Sequence, residues 1–366
     1  MMSVIEINET DRDYWDKEIS KFESIHPLNA FGWGKVRSID GWSPTYLMAK
    51  RGDSITGALI LLTKRIPLIG LSIMYAPRGP IYDLHDNETL KILLNRIRIE
   101  ARKSHAIFFR IDPNISEKAM LNLRDPFLQE GFVHLAHRWT FWNTPRDVFR
   151  INLTKADTED QLFKTLDRQA RKAVRKSRKQ GVTIRHATSI EEFNIFFRIF
   201  KEFSAQRGFM SRGYAYQKSL WDEFVTRGNG RLFLAIYQEQ IVGGLICLIF
   251  GQKCLAMHMG TPYEYQNLRT NDAYVWEAIK WAKENNCRWF SFRGVGSSVS
   301  ESKFKNKFGP ESIRLVGYYD LAFHPLLYHL LSNFEFEILP RLAPILMNLQ
   351  IKYKILSEYL KKSLLH

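Results

Sequence analysis

Cysteine is scarce: three in 366 residues exclude a disulfide framework. Cys247, Cys254 and Cys287 show no C-x-x-C spacing and read as buried thiols of a reducing compartment. No uncharged apolar run approaches the ~18 residues that cross a bilayer. The stretch Met1 to Asp16 is acidic and lacks an apolar segment, so no secretory signal is expected and the chain should stay in the cytoplasm. The histidines are scattered and no H-E-x-x-H occurs. His134 and His137 are three apart in a strand-like stretch and should point to opposite faces, so no metal site is expected. The phosphate-binding and dinucleotide-binding glycine patterns are both missing, which argues against ATP- or NAD-driven chemistry. No Ser-His-Asp or Cys-His set suggests itself.

Acidic residues are in deficit. Lys and Arg number 53 against 38 Asp and Glu, a net charge of +15, while 45% apolar and 25% charged residues describe an ordinary globular chain. Its length predicts two domains. The excess charge is local. Lys164 to Lys179 carries Lys164, Arg168, Arg171, Lys172, Arg175, Lys176, Arg178 and Lys179 against Asp167 alone. Such a segment suits a polyanionic partner: nucleic acid, anionic lipid or a phosphorylated substrate.

The chain repeats itself. Tyr46 to Leu62 and Leu232 to Leu248 both read as a strand, a short polar turn and a longer apolar strand, the pattern of a β-hairpin. Ala49 and Ala235, Ile55 and Ile241, and Gly57 and Gly243 share an offset of 186. Ala101 to Asp112 and Ala282 to Arg293 form a second pair, each a helix end, a polar turn and an aromatic-rich strand, with an offset of 181. The spacing predicts leading helices over Tyr14 to Phe22 and Ile190 to Gln206, and later helices over Thr89 to Lys103 and Ala273 to Glu284. This order resembles the acyl-transferring GNAT fold. The expected class is α/β (α+β): two tandem GNAT-like domains with a central cleft, over residues 1–150 and 151–323, and a C-terminal helical tail over 324–366.

Gln161 to Lys179 is expected to be one amphipathic helix, with Arg168, Arg171, Arg175 and Arg178 in a row on one face. Such a row can track nucleic-acid phosphates; the alternative is a solvated surface helix. GNAT enzymes hold the coenzyme A pyrophosphate on a glycine-rich turn at a helix start. The matching place, Gln266 to Ala273, contains no glycine, and Tyr75 to Glu88 in the first unit lacks the motif too.

Several short stretches, taken together, resemble the FemABX family of aminoacyl-tRNA-dependent peptidyltransferases over roughly residues 1 to 322. They are Trp33-Gly34-Lys35, Pro77-Arg78-Gly79-Pro80 with Asp83, Ile111-Asp112-Pro113, the basic Arg168 to Gly181 segment, Trp276 to Ala282, and Phe304-Lys305 with Phe308-Gly309. The long helical hairpin of staphylococcal members has no counterpart here. The resemblance implies transfer of an amino acid from a charged tRNA to an amine of a peptidoglycan precursor, nucleotide-linked or lipid-linked, with aminoacyl-tRNA as co-substrate and no other cofactor. It implies that Lys35 and Arg212 bind the precursor's pyrophosphate, with Arg78 and Phe304 at the substrate site and Tyr214 and Tyr216 lining the acceptor site. Lys305 would stabilise the developing oxyanion, Asp112 would orient the amine, and Arg168, Arg171, Lys172, Arg175 and Arg178 would hold tRNA. An acyl-CoA-dependent N-acyltransferase and a non-enzymatic RNA-binding protein are the competing readings.

The tail from His324 to His366 is leucine-rich and broken by Pro325, Pro340 and Pro344. Its last segment places Ile351, Ile355, Leu356, Tyr359 and Leu360 on one helical face, with lysines on much of the remainder. Such a helix either lies on the anionic inner face of the membrane or packs against protein.

Overall fold

A computed structural model describes residues 1–338 and 341, apart from 122, 136–144, 210 and 295–298. His137 and the lysine-bearing end of the tail lie outside the described residues.

Period-2 and period-3.6 patterns in the sequence become two mixed sheets with helices on both faces. The first sheet begins with β1 (Met2–Ile7), β2 (Ser43–Arg51), β3 (Ser54–Arg65), β4 (Ser72–Ala76) and β5 (Ile81–Tyr82). It continues with β6 (Ala106–Ile111) and β7 (Val133–His134). The second is built from β8 (Asp147–Asn152), β9 (Thr183–His186), β10 (Gly230–Tyr237), β11 (Gln240–Phe250), β12 (Lys253–Gly260), β13 (Trp289–Phe292) and β14 (Glu311–Arg314). A last strand, β15 (Tyr319–Ala322), returns to the first sheet between β6 and β7.

The repeat is visible residue by residue. Ala49 faces Gly57 in the β2–β3 hairpin, Ala235 faces Gly243 in the β10–β11 hairpin, and the register slips immediately after each of these alanines. A bulge thus sits at equivalent places in both units. A Cβ on Gly57 would fall 2.9 Å from the Ile81 carbonyl, and one on Gly243 2.9 Å from the Gly260 carbonyl, so only glycine fits at either place. Each sheet also holds one parallel pair, β4 with β6 and β12 with β13.

Helices α1 (Arg12–Ile19), α2 (Phe31–Ser38) and α3 (Asn87–Ser104) belong to the first unit, followed by the one-turn helices α4 (Glu117–Met120) and α5 (Pro126–Gln129). Asp86 caps α3 by accepting from Thr89 N–H, and left-handed His105 ends it. The second unit carries α6 (Glu159–Thr165), α7 (Arg168–Lys179), α8 (Ile190–Gln206), α9 (Tyr214–Leu220), α10 (Thr270–Glu284) and α11 (Val299–Asn306), and α12 (Pro325–Asn333) follows β15. Strand alternation sorts the core. Leu47 and Ala49 of β2 pack towards α3, whereas Tyr46 and Met48 look inward to α1 and α2. In β12, Cys254 and Ala256 face α7 and α10, whereas Leu255 and Met257 look inward. The inward faces of both sheets share one core with α1, α2, α8 and α9. That shared core couples the units and leaves a cleft between them.

Two expectations change. The single helix over Gln161 to Lys179 is two, because Asp167 breaks it and caps α7 by accepting from Ala170 N–H at 2.6 Å. The unit boundaries also differ. Asp147 to Arg150 already belong to the second sheet, and residues 319–322, expected in the second unit, are a strand of the first. The cause is a buried charge: Arg110 on β6 makes a two-pronged ion pair with Asp320 at 2.7 Å on each side, and a further bond to Glu335 at 2.8 Å. A buried guanidinium needs a carboxylate, and the returning strand supplies it. As expected, Cys247, Cys254 and Cys287 are buried thiols.

Candidate active site

A cavity of about 700 Å³ lies between the two sheets, walled by eight Lys and Arg side chains and two carboxylates, Glu23 and Asp40. Helix α2 supplies Trp33 and Arg37, which share a face because they are four residues apart. Lys35 falls on the other side and pairs with Glu9 instead, so it does not line the cavity. Asp40 sits beyond the end of α2 and takes Arg37 at 3.3 Å and Arg212 at 3.2 Å. Its carbonyl accepts from Lys64 at 3.0 Å. One aspartate thus serves three cations, and the local charge stays positive. Aromatic rings hold these cations in place: Arg212 lies over Tyr216, Arg37 and Lys64 flank Trp42, and Tyr216 meets Trp33 edge-on. Tyr216 and Arg212 therefore meet at the cavity. Tyr214 does not: it donates to Asn194 at 2.8 Å and packs on Phe197, away from the cavity.

Arg78 lines the cavity from the turn after β4, held at φ 53°. Its guanidinium donates to the Pro145 carbonyl at 3.1 Å. Asp112, buried just past β6, accepts from Arg78 N–H at 2.6 Å and from the Tyr75 hydroxyl at 3.0 Å. Asp112 therefore lies beneath the wall rather than in it, where it fixes the Arg78 turn. Arg293, just beyond β13, faces the same space. Burial within the cavity, together with Arg212, Arg78 and Arg37, lowers its hold on its proton. Arginine remains charged regardless, so this crowding is a free-energy penalty that a bound anion relieves.

Lys305 lies on α11, behind Arg293. Its ammonium is buried and donates to the Gly294 carbonyl at 2.7 Å and to Glu301 at 2.6 Å. It does not line the cavity, but it grips the residue after Arg293. Phe304 is packed into the second core with Lys307 over its ring at 4.3 Å, so it too is off the cavity.

The cationic row of α7 lies on the outer face of the second sheet, where Ala170 and Val174 pack with Cys254 and Ala256. Arg168, Lys172 and Arg175 are exposed, Arg171 is half-buried, Arg175 sits over Phe163 at 5.3 Å, and Arg178 pairs with Glu277 at 3.1 Å. At the start of α10, where a coenzyme A pyrophosphate would need bare N–H groups, Asp272 is buried and paired with Lys307. Thr261 and Thr270 hydroxyls bond beside it at 2.9 Å.

Sequence reasoning missed Arg37, Asp40, Trp42 and Lys64. The available signal was helical: four-residue spacing from Trp33 points to Arg37, not Lys35.

The FemAB family model matches residues 15–237 and 233–335. A lipid II:glycine glycyltransferase of Staphylococcus epidermidis is 20% identical across 91% of this chain and 96% of its own length. One of Staphylococcus aureus is 24% identical across 60% of this chain and 53% of its own. A crystal structure of FemX superposes with a TM-score of 0.81 at 17% identity, covering 90% of this chain and 99% of that one. A tandem GNAT protein from the clavulanic acid biosynthesis pathway follows at TM-score 0.53 and 10% identity, covering 88% and 98%. The tandem GNAT-like fold and the family model, which spans most of the sequence, agree: this chain belongs to the FemAB family.

Proposed function

We propose that this protein moves an amino acid from aminoacyl-tRNA to an amine of a peptidoglycan precursor, nucleotide-linked or lipid-linked. The cation-walled cavity carries the reading: Asp40 answers Arg37, Arg212 and Lys64 alone, which suits the pyrophosphate of such a precursor. The staphylococcal relatives, named for lipid II and glycine, support the same acceptor class.

The chemistry asks little. The amine nitrogen attacks the ester carbonyl carbon, an oxyanion forms and collapses, and the C–O bond to the terminal ribose breaks. The released hydroxyl ends with the proton the amine gave up. The ester is already activated, so aminoacyl-tRNA serves as co-substrate without a further cofactor. Holding amine and ester together supplies several kcal/mol, ~7–11 in favourable cases. A donor at the oxyanion adds about 3–4 kcal/mol. Lys305, through Gly294, would set the wall beside Arg293, next to the reacting ester. The exposed cations of α7 would hold the tRNA backbone from the outer face.

Among the described residues no helix is long and apolar enough to cross a membrane. Leu326, Leu330, Phe334 and Ile338 are exposed and four apart, a row suited to resting on the membrane's inner face beside a lipid-linked acceptor.

The test is a transfer assay with purified protein, total tRNA charged with labelled amino acids, and a lysine-containing precursor. Label on the precursor that vanishes with RNase is the expected outcome, and it identifies the amino acid. No label with any charged tRNA, on either acceptor form, would overturn the reading.

A further inference from the structure

The cavity has a second cationic end that the reaction just described leaves unused. Lys253 opens β12, Arg150 lies on β8, and Arg288 and Trp289 lead into β13. Strand pairing brings them together: Lys253 is opposite Trp289, and Arg150 opposite Ser291. The Arg150 guanidinium stacks on the Trp289 ring at 3.9 Å, and Arg288 lies over the same ring at 5.6 Å. Stacking occupies the faces of a guanidinium and leaves its in-plane N–H donors for an anion. The Arg150 Nε–H is buried and meets no acceptor among the described residues.

Negative charge is sparse at this end. Glu23 lies 3.5 Å from Arg288, with its side chain 89% exposed. Glu311, the other acid acting on Arg150, is paired with Lys155 at 2.7 Å. Lys253 reaches only a main-chain carbonyl, that of Glu23. Burial, then Arg150 and Arg288, press its amine down to about 8. Three cations are thus gathered against one carboxylate, the exposed Glu23.

Both groups line one cavity, and the buried His26 between them feels Arg78 and Arg293 of the first and Lys253 of this one. Strand β13 spans the gap: four residues from Trp289 to Arg293 make ~13 Å, the length of a short extended peptide.

We infer that the Arg150–Lys253–Arg288 end of the cavity is a carboxylate subsite, which takes the free C-terminal carboxylate of the acceptor's peptide. The inference rests on the proposed acceptor. It favours a peptide over RNA because the cationic row of α7 lies across the sheet: Ala170 and Val174 share the outer core with Cys254 and Ala256, whereas Leu255 and Met257 face the cavity.

The experiment is calorimetric titration of the full chain with nucleotide-linked and short-chain lipid-linked pentapeptide precursors, each as free acid and as C-terminal amide, at pH 7. The wild type should bind the amide at least about tenfold more weakly than the acid. Arg150→Gln and Lys253→Gln, on separate strands and checked for folding by circular dichroism, should each bind acid and amide within about twofold of one another. Equal binding of acid and amide by the wild type would overturn the subsite and leave the acceptor reading standing. That result together with weakened tRNA binding in Arg150→Gln would assign the cluster to RNA phosphate instead. No binding of any precursor would overturn the acceptor and the subsite together.

Discussion

Lys305 and Arg293 are linked through Gly294: the Lys305 ammonium donates to the Gly294 carbonyl at 2.7 Å, and Gly294 follows Arg293, which lines the cavity. Removing the ammonium should loosen the wall around Arg293. Lys305→Met should lower kcat about 10²-fold, the scale of shifting reacting groups by about 1 Å, with tRNA affinity within about twofold. Lys305→Arg should restore part of the rate. Single-turnover transfer and filter binding measure the two quantities, and unchanged turnover would remove Lys305 from the machinery.

Among the described residues Arg171 and Arg175 have no ion pair, whereas Arg178 is held by Glu277. Arg171→Ala with Arg175→Ala should weaken tRNA binding and flatten the slope of log affinity against log salt by about 1.5–2, because fewer counterions are released. Arg178→Ala should change the slope less. The check is a salt titration of tRNA affinity; an unchanged slope in the double variant would count against α7 as the tRNA face.

Asp272 bars the place a coenzyme A pyrophosphate would need at the α10 N-terminus. Calorimetric titration with coenzyme A or acetyl-CoA should therefore give no saturable heat. Stoichiometric binding would favour the acyl-CoA reading over the tRNA one.

Asp16 accepts Phe31 N–H at 2.8 Å from a largely enclosed position. Burial pushes its carboxyl up to about 6, against Arg12 and the Phe31 bond, which favour the charged form. Between about pH 4 and 6 the folded chain therefore holds the proton more often than the unfolded chain, so this group's contribution to stability falls as pH rises through that window. At pH 7 Asp16→Asn keeps an acceptor for Phe31 and removes the charge. It should raise stability by on the order of 1–3 kcal/mol, read by urea melts at pH 4 and pH 7, with the gain confined to the higher pH. A destabilised variant at pH 7 would refute this.

How much of this could be read without the structure depends on the range of each interaction. The hairpins were legible because Ala49 and Gly57, like Ala235 and Gly243, are eight residues apart and their pairing is local. The family resemblance was legible for the same reason, since its motifs are short. The break before α7 was missed although Asp167 marks it, because the cationic run on both sides reads as continuous helix. Lys35 came from the resemblance, whereas the helical angle from Trp33 turns Arg37, not Lys35, to the cavity.

By itself, then, the sequence determined two copies of one α/β unit, an ordinary globular core, a cationic helix and a missing coenzyme A turn. These follow from local spacing and composition. Only the tertiary structure decided that β15 closes the first sheet and that Arg37 and Arg212 share Asp40. It alone decided that Asp112 supports Arg78 from below, and that Arg150, Lys253 and Arg288 converge. Arg110 and Asp320 are 210 residues apart, and Arg37 and Arg212 come from different units. No local pattern encodes such pairs; the first forms because a buried charge must find its partner when two sheets close on a common core.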